Sequence, residues 1–365
     1  MIHVFIGTKA QYIKTAPVIL ELEKRGIAYN LIDSGQHSGI AYTYRRFFRL
    51  REPDAAMRAG KDDIKTFFTA FSWLCKFFLL GIFFPKRMWR DLFKGKGGIC
   101  IIHGDTPTTL LSIFLAKRAG LLVAHLESGL RSHNIFHPFP EEIIRIITMY
   151  CADYLFVPGN SYAENLKKMG CKGALIQIGQ NTNVDSIRYA LQHYMPAGKK
   201  GTSYQVLMSI HRFETIYSRK RLAFVVELIS RIPRDKKILF CIHPPTEVRL
   251  RKYKLFSLLQ AQPNLFLSPL LEYPDFVFHQ SQVEYIITDG GSIQEESYYL
   301  GIPCLVLRKR TERYEGIGEN VCLSGFNLGK VEWFIRNYGQ LKRESRVGMG
   351  VSPSAIIVEK IDELA

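Results

Sequence analysis

The sequence predicts an α/β protein built as two Rossmann-like halves. Short apolar runs alternate with helical segments along most of the 365 residues, the pattern of parallel strands joined by crossover helices. Nearly every run stops at glycine or polar residues of the kind that line ligand sites at strand ends. The alternation restarts after the basic, polar stretch Lys199-Lys200-Gly201-Thr202, and the length suffices for two domains. The expected domains are 1–170, with an aromatic insertion at about 64–90, and 200–340, the nucleotide-binding half. A final helix, 350–365, is expected to pack back on the first domain.

In order, Ile2–Ile6 is the first strand and ends at Gly7-Thr8-Lys9. A helix from about Tyr12 to Lys24 follows, with Ile13, Ala16, Val18, Ile19 and Leu22 as its apolar face. Ala28–Ile32 is the second strand, which completes a βαβ unit and closes on Asp33-Ser34-Gly35-Gln36-His37. Ile99–Ile102 closes on His103-Gly104-Asp105-Thr106, and Leu122–Leu126 on Glu127-Ser128-Gly129-Leu130-Arg131. Glu141-Glu142 begins a helix with Arg145 one turn on, and Tyr154–Val157 is another strand. Ligands bind outside the carboxyl ends of strands in such sheets, which gathers Lys14, His37, Asp105, Glu127 and Glu141 near one cleft.

The run from Phe67 to Phe84 breaks this pattern. Lys76 is its only charge, and Pro85-Lys86-Arg87-Met88-Trp89-Arg90 follows at once. As a helix it spans about 27 Å, short of the roughly 30 Å hydrocarbon core, and its central lysine argues against a span. Aromatic density with a basic flank suits a helix lying in a membrane interface through Phe67, Phe68, Phe71, Trp73, Phe77, Phe78, Phe83, Phe84 and Trp89. The competing reading is a buried helix or a dimer face.

In the second half, Gln205–Ser209 closes on Ile210-His211-Arg212-Phe213-Glu214, and Arg221–Ile232 is an amphipathic helix. Ile238–Ile242 closes on His243-Pro244-Pro245. The apolar run Val283–Ile287 stops at Asp289-Gly290-Gly291, and Ser292–Leu300 reads as a helix. A Gly-rich strand-to-helix turn exposes N–H groups that suit a phosphate. A carboxylate one turn further, among Glu295 and Glu296, can accept both hydroxyls of a ribose, or can simply offset the helix dipole. Pro303–Leu307 follows and closes on Arg308, with Thr311-Glu312-Arg313 beyond.

Composition narrows the partners. A net charge of +16 favours acidic ligands such as nucleotide phosphates or anionic lipid. No zinc-finger, RNP or helix-turn-helix pattern supports nucleic acid. Seven dispersed cysteines without a CxxC fit reduced thiols in a cytosol, neither a disulfide framework nor a zinc site. The first eight residues lack a basic n-region and are not expected to be a signal peptide.

Seven motifs in order carry a resemblance: Gly7-Thr8 with Lys14; His103 to Thr106; His125 to Arg131; Pro140-Glu141-Glu142 with Arg145; His211-Arg212 with Glu214; Asp289 to Glu296; and Thr311-Glu312-Arg313. Outside 60–98 the chain resembles the UDP-N-acetylglucosamine 2-epimerase family, which has the two-Rossmann GT-B fold with a central cleft. The resemblance implies catalytic carboxylates at Asp105, Glu127 and Glu141, a catalytic or UDP-contacting His211, and Lys14 in the active site. It implies a diphosphate turn at Gly290, Gly291 and Ser292, a ribose-binding Glu296, a cleft-lining Arg313, and substrate contacts at Lys9, His37 and Arg145. The implied reaction inverts C2 by expelling UDP, forming a glycal and adding UDP back, with no cofactor and no metal.

The family's usual Gly-Thr-Arg-Pro-Glu is here Gly7-Thr8-Lys9-Ala10-Gln11, which loses a bidentate fork and a carboxylate. Ser292 follows the glycine pair where the family puts serine first. Gly39-Ile40-Ala41-Tyr42 argues against a second, allosteric UDP-sugar site. Leu126-Glu127-Ser128-Gly129, where the hydrolysing branch has His-Gly-Gly-Glu, favours the non-hydrolysing reaction. The expectation is a cytoplasmic UDP-GlcNAc 2-epimerase serving surface polysaccharide, peripheral on the inner face of the cell membrane. Its expected partners are a UDP-sugar, a membrane surface or lipid-linked acceptor, and a second copy in a homodimer. The alternatives are a membrane-associated GT-B glycosyltransferase and a non-catalytic UDP-sugar binder.

Overall fold

The computed structural model describes residues 1–36, 38–57, 67–135, 139–195 and 201–364. They divide into two units, Met1–Ser186 with Val351–Ala365, and Ile187–Gly350.

In unit 1 the strands are β1 Ile2–Ile6, β2 Tyr29–Asp33, β3 Ala55–Ala56, β4 Ile99–His103, β5 Leu122–Leu126, β6 Tyr154–Val157 and β7 Ala174–Gln177. They form one sheet in the order β3-β2-β1-β4-β5-β6-β7, and every pairing is parallel. β1, β2 and β4 are buried along their whole length, as expected when helices cover both faces. Strand order reverses between β1 and β4, the kind of point outside whose strand ends ligands bind in open α/β sheets. The helices after both strands start at threonine caps, Thr8 and Thr106, each with a capping box. Helix Pro353–Leu364 lies against helix Lys9–Lys24, burying Ile357, Val358 and Ile361. Asp185 accepts hydrogen bonds from the Ser352 hydroxyl at 2.7 Å and the Ser354 N–H at 2.9 Å.

The aromatic segment forms helix Phe67–Phe83, followed by helix Pro85–Phe93. It packs on helix Pro107–Arg118. Phe78 meets Phe114 at 4.8 Å between ring centroids. A Cβ on Gly81 would fall 2.6 Å from Phe114, so only glycine permits this approach. Arg118 donates to the Gly81 and Ile82 carbonyls at 3.3 and 3.4 Å, which satisfies groups that a helix end leaves open. The membrane contact expected from sequence is therefore corrected for Trp73, Phe77 and Phe78; the side chains of Phe67, Phe68 and Phe71 lie outside those described. Phe77 belongs to the core, and Trp73 and Phe78 pack against it. The helix is 17 residues long; among the described residues, no helix is long and apolar enough to cross a membrane.

In unit 2 the strands are β8 Val206–Ser209, β9 Ile238–Cys241, β10 Leu265–Ser268, β11 Tyr285–Thr288, β12 Cys304–Val306 and β13 Val321–Leu323. The order is β10-β9-β8-β11-β12-β13, again parallel throughout. The reversal falls between β8 and β11, at whose ends stand His211 and Asp289-Gly290-Gly291.

Candidate active site

In unit 1 the polar cluster is built on the ends of β4 and β5. The first residue past β5 is Glu127, whose φ of 62° lies in the left-handed region, at a cost of about 1–2 kcal/mol for an L residue. Its Oε1 accepts from the Lys14 ammonium and the Asn181 amide, and His103 Nε2 lies 3.8 Å from Oε2. Lys14 is almost fully buried, so breaking the pair leaves an uncompensated charge in the interior. These contacts hold a strained backbone in place, the signature of a functional position rather than of packing.

Asp105, two residues past β4, accepts from Arg145 Nε at 2.6 Å. Arg145 also reaches Glu142 at 3.2 Å, and Glu142 takes Arg131 Nε at 2.6 Å and the Ser132 N–H at 3.0 Å. Burial opposes the charge on Glu142, yet Arg131, the Ser132 N–H and Arg145 together hold its carboxyl below the usual range. Between the two acids lies His125, whose pKa burial lowers. Its Nε2 is 2.8 Å from the Gly104 carbonyl, which can only accept, so the proton sits on Nε2. Nδ1 then shares the single Ser128 hydroxyl proton with the His125 carbonyl, at 2.8 and 2.9 Å. Asp105, His125, Glu127 and Arg145 line one small recess.

Glu141 opens helix Glu141–Cys151 one turn before Arg145. Its Oε2 is buried and has no hydrogen-bond partner among the described residues. Lys9 lies over the Tyr44 ring at 5.8 Å. His37 lies outside the described residues. Gln11 explains one departure from the family pattern. Its amide donates to the His103 carbonyl and the Thr109 hydroxyl, each at 3.0 Å, and a glutamate could not donate to that carbonyl.

In unit 2, Gly290 is the N-cap of helix Gly291–Leu300, with no side chain capping it. The turn does not need glycine for its backbone angles. Gly290 has φ −87° and ψ 129°, open to any residue. The constraint is space: a Cβ on Gly290 would lie 2.7 Å from His211 Cε1, and one on Gly291 would lie 3.2 Å from Arg313 Nε. The pair of glycines thus brings His211 and Arg313 against the uncapped helix end. Asp289 is fully buried and accepts from the N–H groups of His211 and Arg212 at 2.9 and 3.0 Å. Burial pushes its carboxyl up, against those bonds and the Thr215 hydroxyl.

Around this end runs a set of ion pairs: Arg313 with Glu295 at 2.9 Å, Arg212 with Glu312 at 2.7 Å, and Arg308 with Glu312 at 2.8 Å. Glu296, one turn into the helix, is buried and accepts from Gln280 at 2.6 Å. Ser292 is exposed. His243 stacks on His211 at 4.5 Å between ring centroids.

Asn181, Gln280, His243 and the pairing role of Glu142 escaped the sequence reading. Only the His243-Pro244 step after a strand end offered any signal.

Two parallel sheets that share one order over six strands, the first with a seventh added, each carry a polar cluster at the carboxyl ends of central strands and define the class: an α/β enzyme of the GT-B type. The family model described as UDP-N-acetylglucosamine 2-epimerase matches residues 86–331. The chain is 30% identical over 347 residues to the UDP-N-acetylglucosamine 2-epimerase of Methanocaldococcus jannaschii, covering 90% of each. The crystal structure of the Methanocaldococcus jannaschii enzyme in complex with UDP-GlcNAc and UDP superposes with a TM-score of 0.82 at 28% identity, covering 100% of this chain and 99% of that one. That of Neisseria meningitidis bound to UDP-GlcNAc gives 0.82 at 26%, covering 99% of each. The chain belongs to the UDP-N-acetylglucosamine 2-epimerase family, a family of isomerases.

Proposed function

We propose that the protein interconverts UDP-GlcNAc and UDP-ManNAc. The C2–H and C1–O bonds break, the proton passes to a carboxylate, and UDP departs with its electron pair, leaving a C1=C2 glycal. Re-addition of UDP with a proton on the opposite face of C2 completes the inversion. Unit 1 supplies the acids Asp105, Glu127 and Glu141 with Lys14, Lys9 and Arg145. Unit 2 takes the nucleotide, with the turn Gly290-Gly291-Ser292 on the diphosphate through the N–H groups of Gly291 and Ser292, since that of Gly290 is held by the Thr288 hydroxyl at 3.0 Å, Glu296 on the ribose, and His211 and Arg313 beside the leaving group. Preorganised donors of this kind stabilise the charge that develops on departing UDP.

The observation that carries this reading is Glu127, held in a left-handed conformation by Lys14 and Asn181 in the recess it shares with Asp105. The three acids also differ in surroundings. Glu127 faces an ammonium, Asp105 a guanidinium, and Glu141 has one buried oxygen without a described partner. A reaction that takes a proton on one face and returns it on the other needs acids in unlike environments.

Incubation of the pure protein with UDP-GlcNAc in deuterated water tests the reading. Deuterium enters C2 with the native chain and is lost in Asp105→Asn and Glu127→Gln, both of which still bind UDP. Absence of C2 deuterium with the native chain rejects the reading.

The same proposal places the enzyme at the inner face of a membrane, supplying surface polysaccharide, as a homodimer; the exposed apolar end of the aromatic helix supports the first of these. That end also favours a second reading, a glycosyltransferase acting on a lipid-linked acceptor. Sugar transfer to a polyprenyl acceptor that depends on residues 67–84 would establish the second over the first.

A further inference from the structure

Helix Phe67–Phe83 changes character along its outward edge. Ser72, Lys76, Leu79 and Phe83, at helical spacing, are all exposed. The edge is polar at its start and apolar at its end, where Phe83 and Phe84 are 68% and 56% exposed and Leu79 and Ile82 about half so. The opposite face is locked to unit 1 through Phe77, Phe78 and Gly81. The exposed end is therefore rigidly presented rather than frayed.

Helix Pro85–Phe93 follows at this corner, buries Met88, Leu92 and Phe93, and leaves Trp89 38% exposed over Gly95. A groove of about 580 Å³ runs along the edge between Cys75, Lys76, Leu79, Phe83 and Phe84. Residues 85–96 carry five cations (Lys86, Arg87, Arg90, Lys94 and Lys96); Arg87 and Arg90 share Asp91 at 3.2 and 3.0 Å and Lys94 pairs with Asp54, which leaves an excess of three, and Lys86, Arg87 and Arg90 are exposed.

We propose that this corner is a monotopic membrane wedge. Leu79, Ile82, Phe83, Phe84 and Trp89 enter the acyl boundary of one leaflet, and Lys86, Arg87 and Arg90 sit at anionic headgroups. Contiguous apolar side chains next to a cationic rim are the composition of an interfacial anchor. A second copy of the chain fits less well, because two-fold pairing would set this excess of cations against itself. The proposal rests on the membrane location proposed above but not on the reaction, since its test reads partition and not turnover.

The full chain is sedimented with vesicles of phosphatidylcholine alone and with equal parts phosphatidylglycerol. Each cation near an anionic surface is worth about fivefold in partition. The native chain pellets with the anionic vesicles, and salt weakens the binding. Lys86→Glu/Arg87→Glu/Arg90→Glu lowers partition at least about tenfold, and Phe83→Ser/Phe84→Ser/Trp89→Ser does the same. Both variants keep the native melting temperature and turnover of UDP-GlcNAc in free solution. Failure of the native chain to pellet with anionic vesicles overturns the proposal. So does binding of both variants to anionic vesicles at the level of the native chain. A shift from dimer to monomer in the serine variant, with vesicle binding intact, also overturns it and makes the patch a self-association face.

Discussion

Replacing Arg145 with methionine tests whether the guanidinium is the keystone of the unit 1 acids. Arg145 is nearly buried and bonds Asp105 at 2.6 Å and the fully buried Glu142 at 3.2 Å. Breaking a buried pair costs about 3–5 kcal/mol. Asp105 keeps some access to water and Glu142 keeps Arg131, so the lower end, about 3 kcal/mol, is expected. For a unit of about 200 residues this lowers the melting temperature by about 6–12 °C.

The pH dependence separates this from lost packing. Glu142 is held below its ordinary pKa when folded, so its stabilising contribution is present above the unfolded value and lost as pH falls through the folded one. The deficit of Arg145→Met is then largest near neutral pH and shrinks below about pH 4. In Arg145→Met/Glu142→Gln the two losses are less than additive by about 1 kcal/mol or more. Differential scanning calorimetry near neutral pH and again in acid reads all of this. A drop of under about 2 °C, or an equal deficit at both pH values, would refute the reasoning.

Gly290→Ser forces a Cβ to within 2.7 Å of the His211 ring; kcat is expected to fall at least about tenfold while the melting temperature moves little, measured by steady-state turnover. His243→Ala removes the ring stacked on His211 and should lower kcat with KM unchanged, whereas a purely structural His243 would alter stability alone. Deleting residues beyond Gly350 strips Ile357, Val358 and Ile361 from unit 1. That is about 5–9 kcal/mol of burial, a large share of a total stability of about 5–15, so the unfolding transition of unit 1 should move well down in temperature, read by circular dichroism. His3 is buried, accepts from Asn30 at 3.0 Å, and has its pKa lowered to about 4. The unfolded chain binds the proton first, so stability falls by up to about 3 kcal/mol as pH drops from about 6.5 to about 4; His3→Leu flattens that slope in a urea-midpoint series.

Much of the architecture was legible because parallel strands are local objects. Ile2–Ile6, Leu122–Leu126 and Tyr154–Val157 are apolar runs of strand length, and the structure keeps those bounds. β3, two residues long, and β13, three residues long, carry too little pattern to be seen. Helix Phe67–Phe83 was legible as a helix but not by face, because aromatics occupy every side of it. Which of them turn inward depends on Phe114 and Leu115, more than thirty residues away. Glu141 and Glu142 are chemically identical neighbours, and only the fold of the loop from Arg131 decides that Glu142 takes the guanidiniums.

The sequence by itself determined that the chain alternates strands and helices in two series, and where acids and glycines interrupt them. It did so because periodicity and strand-end chemistry are written within a few residues of each other. Tertiary structure alone decided that Glu127 adopts a left-handed backbone between Lys14 and Asn181, and that Gly290 is small to admit His211 rather than to bend. Those outcomes rest on contacts between residues 54 to 113 positions apart, whose energy no local pattern contains.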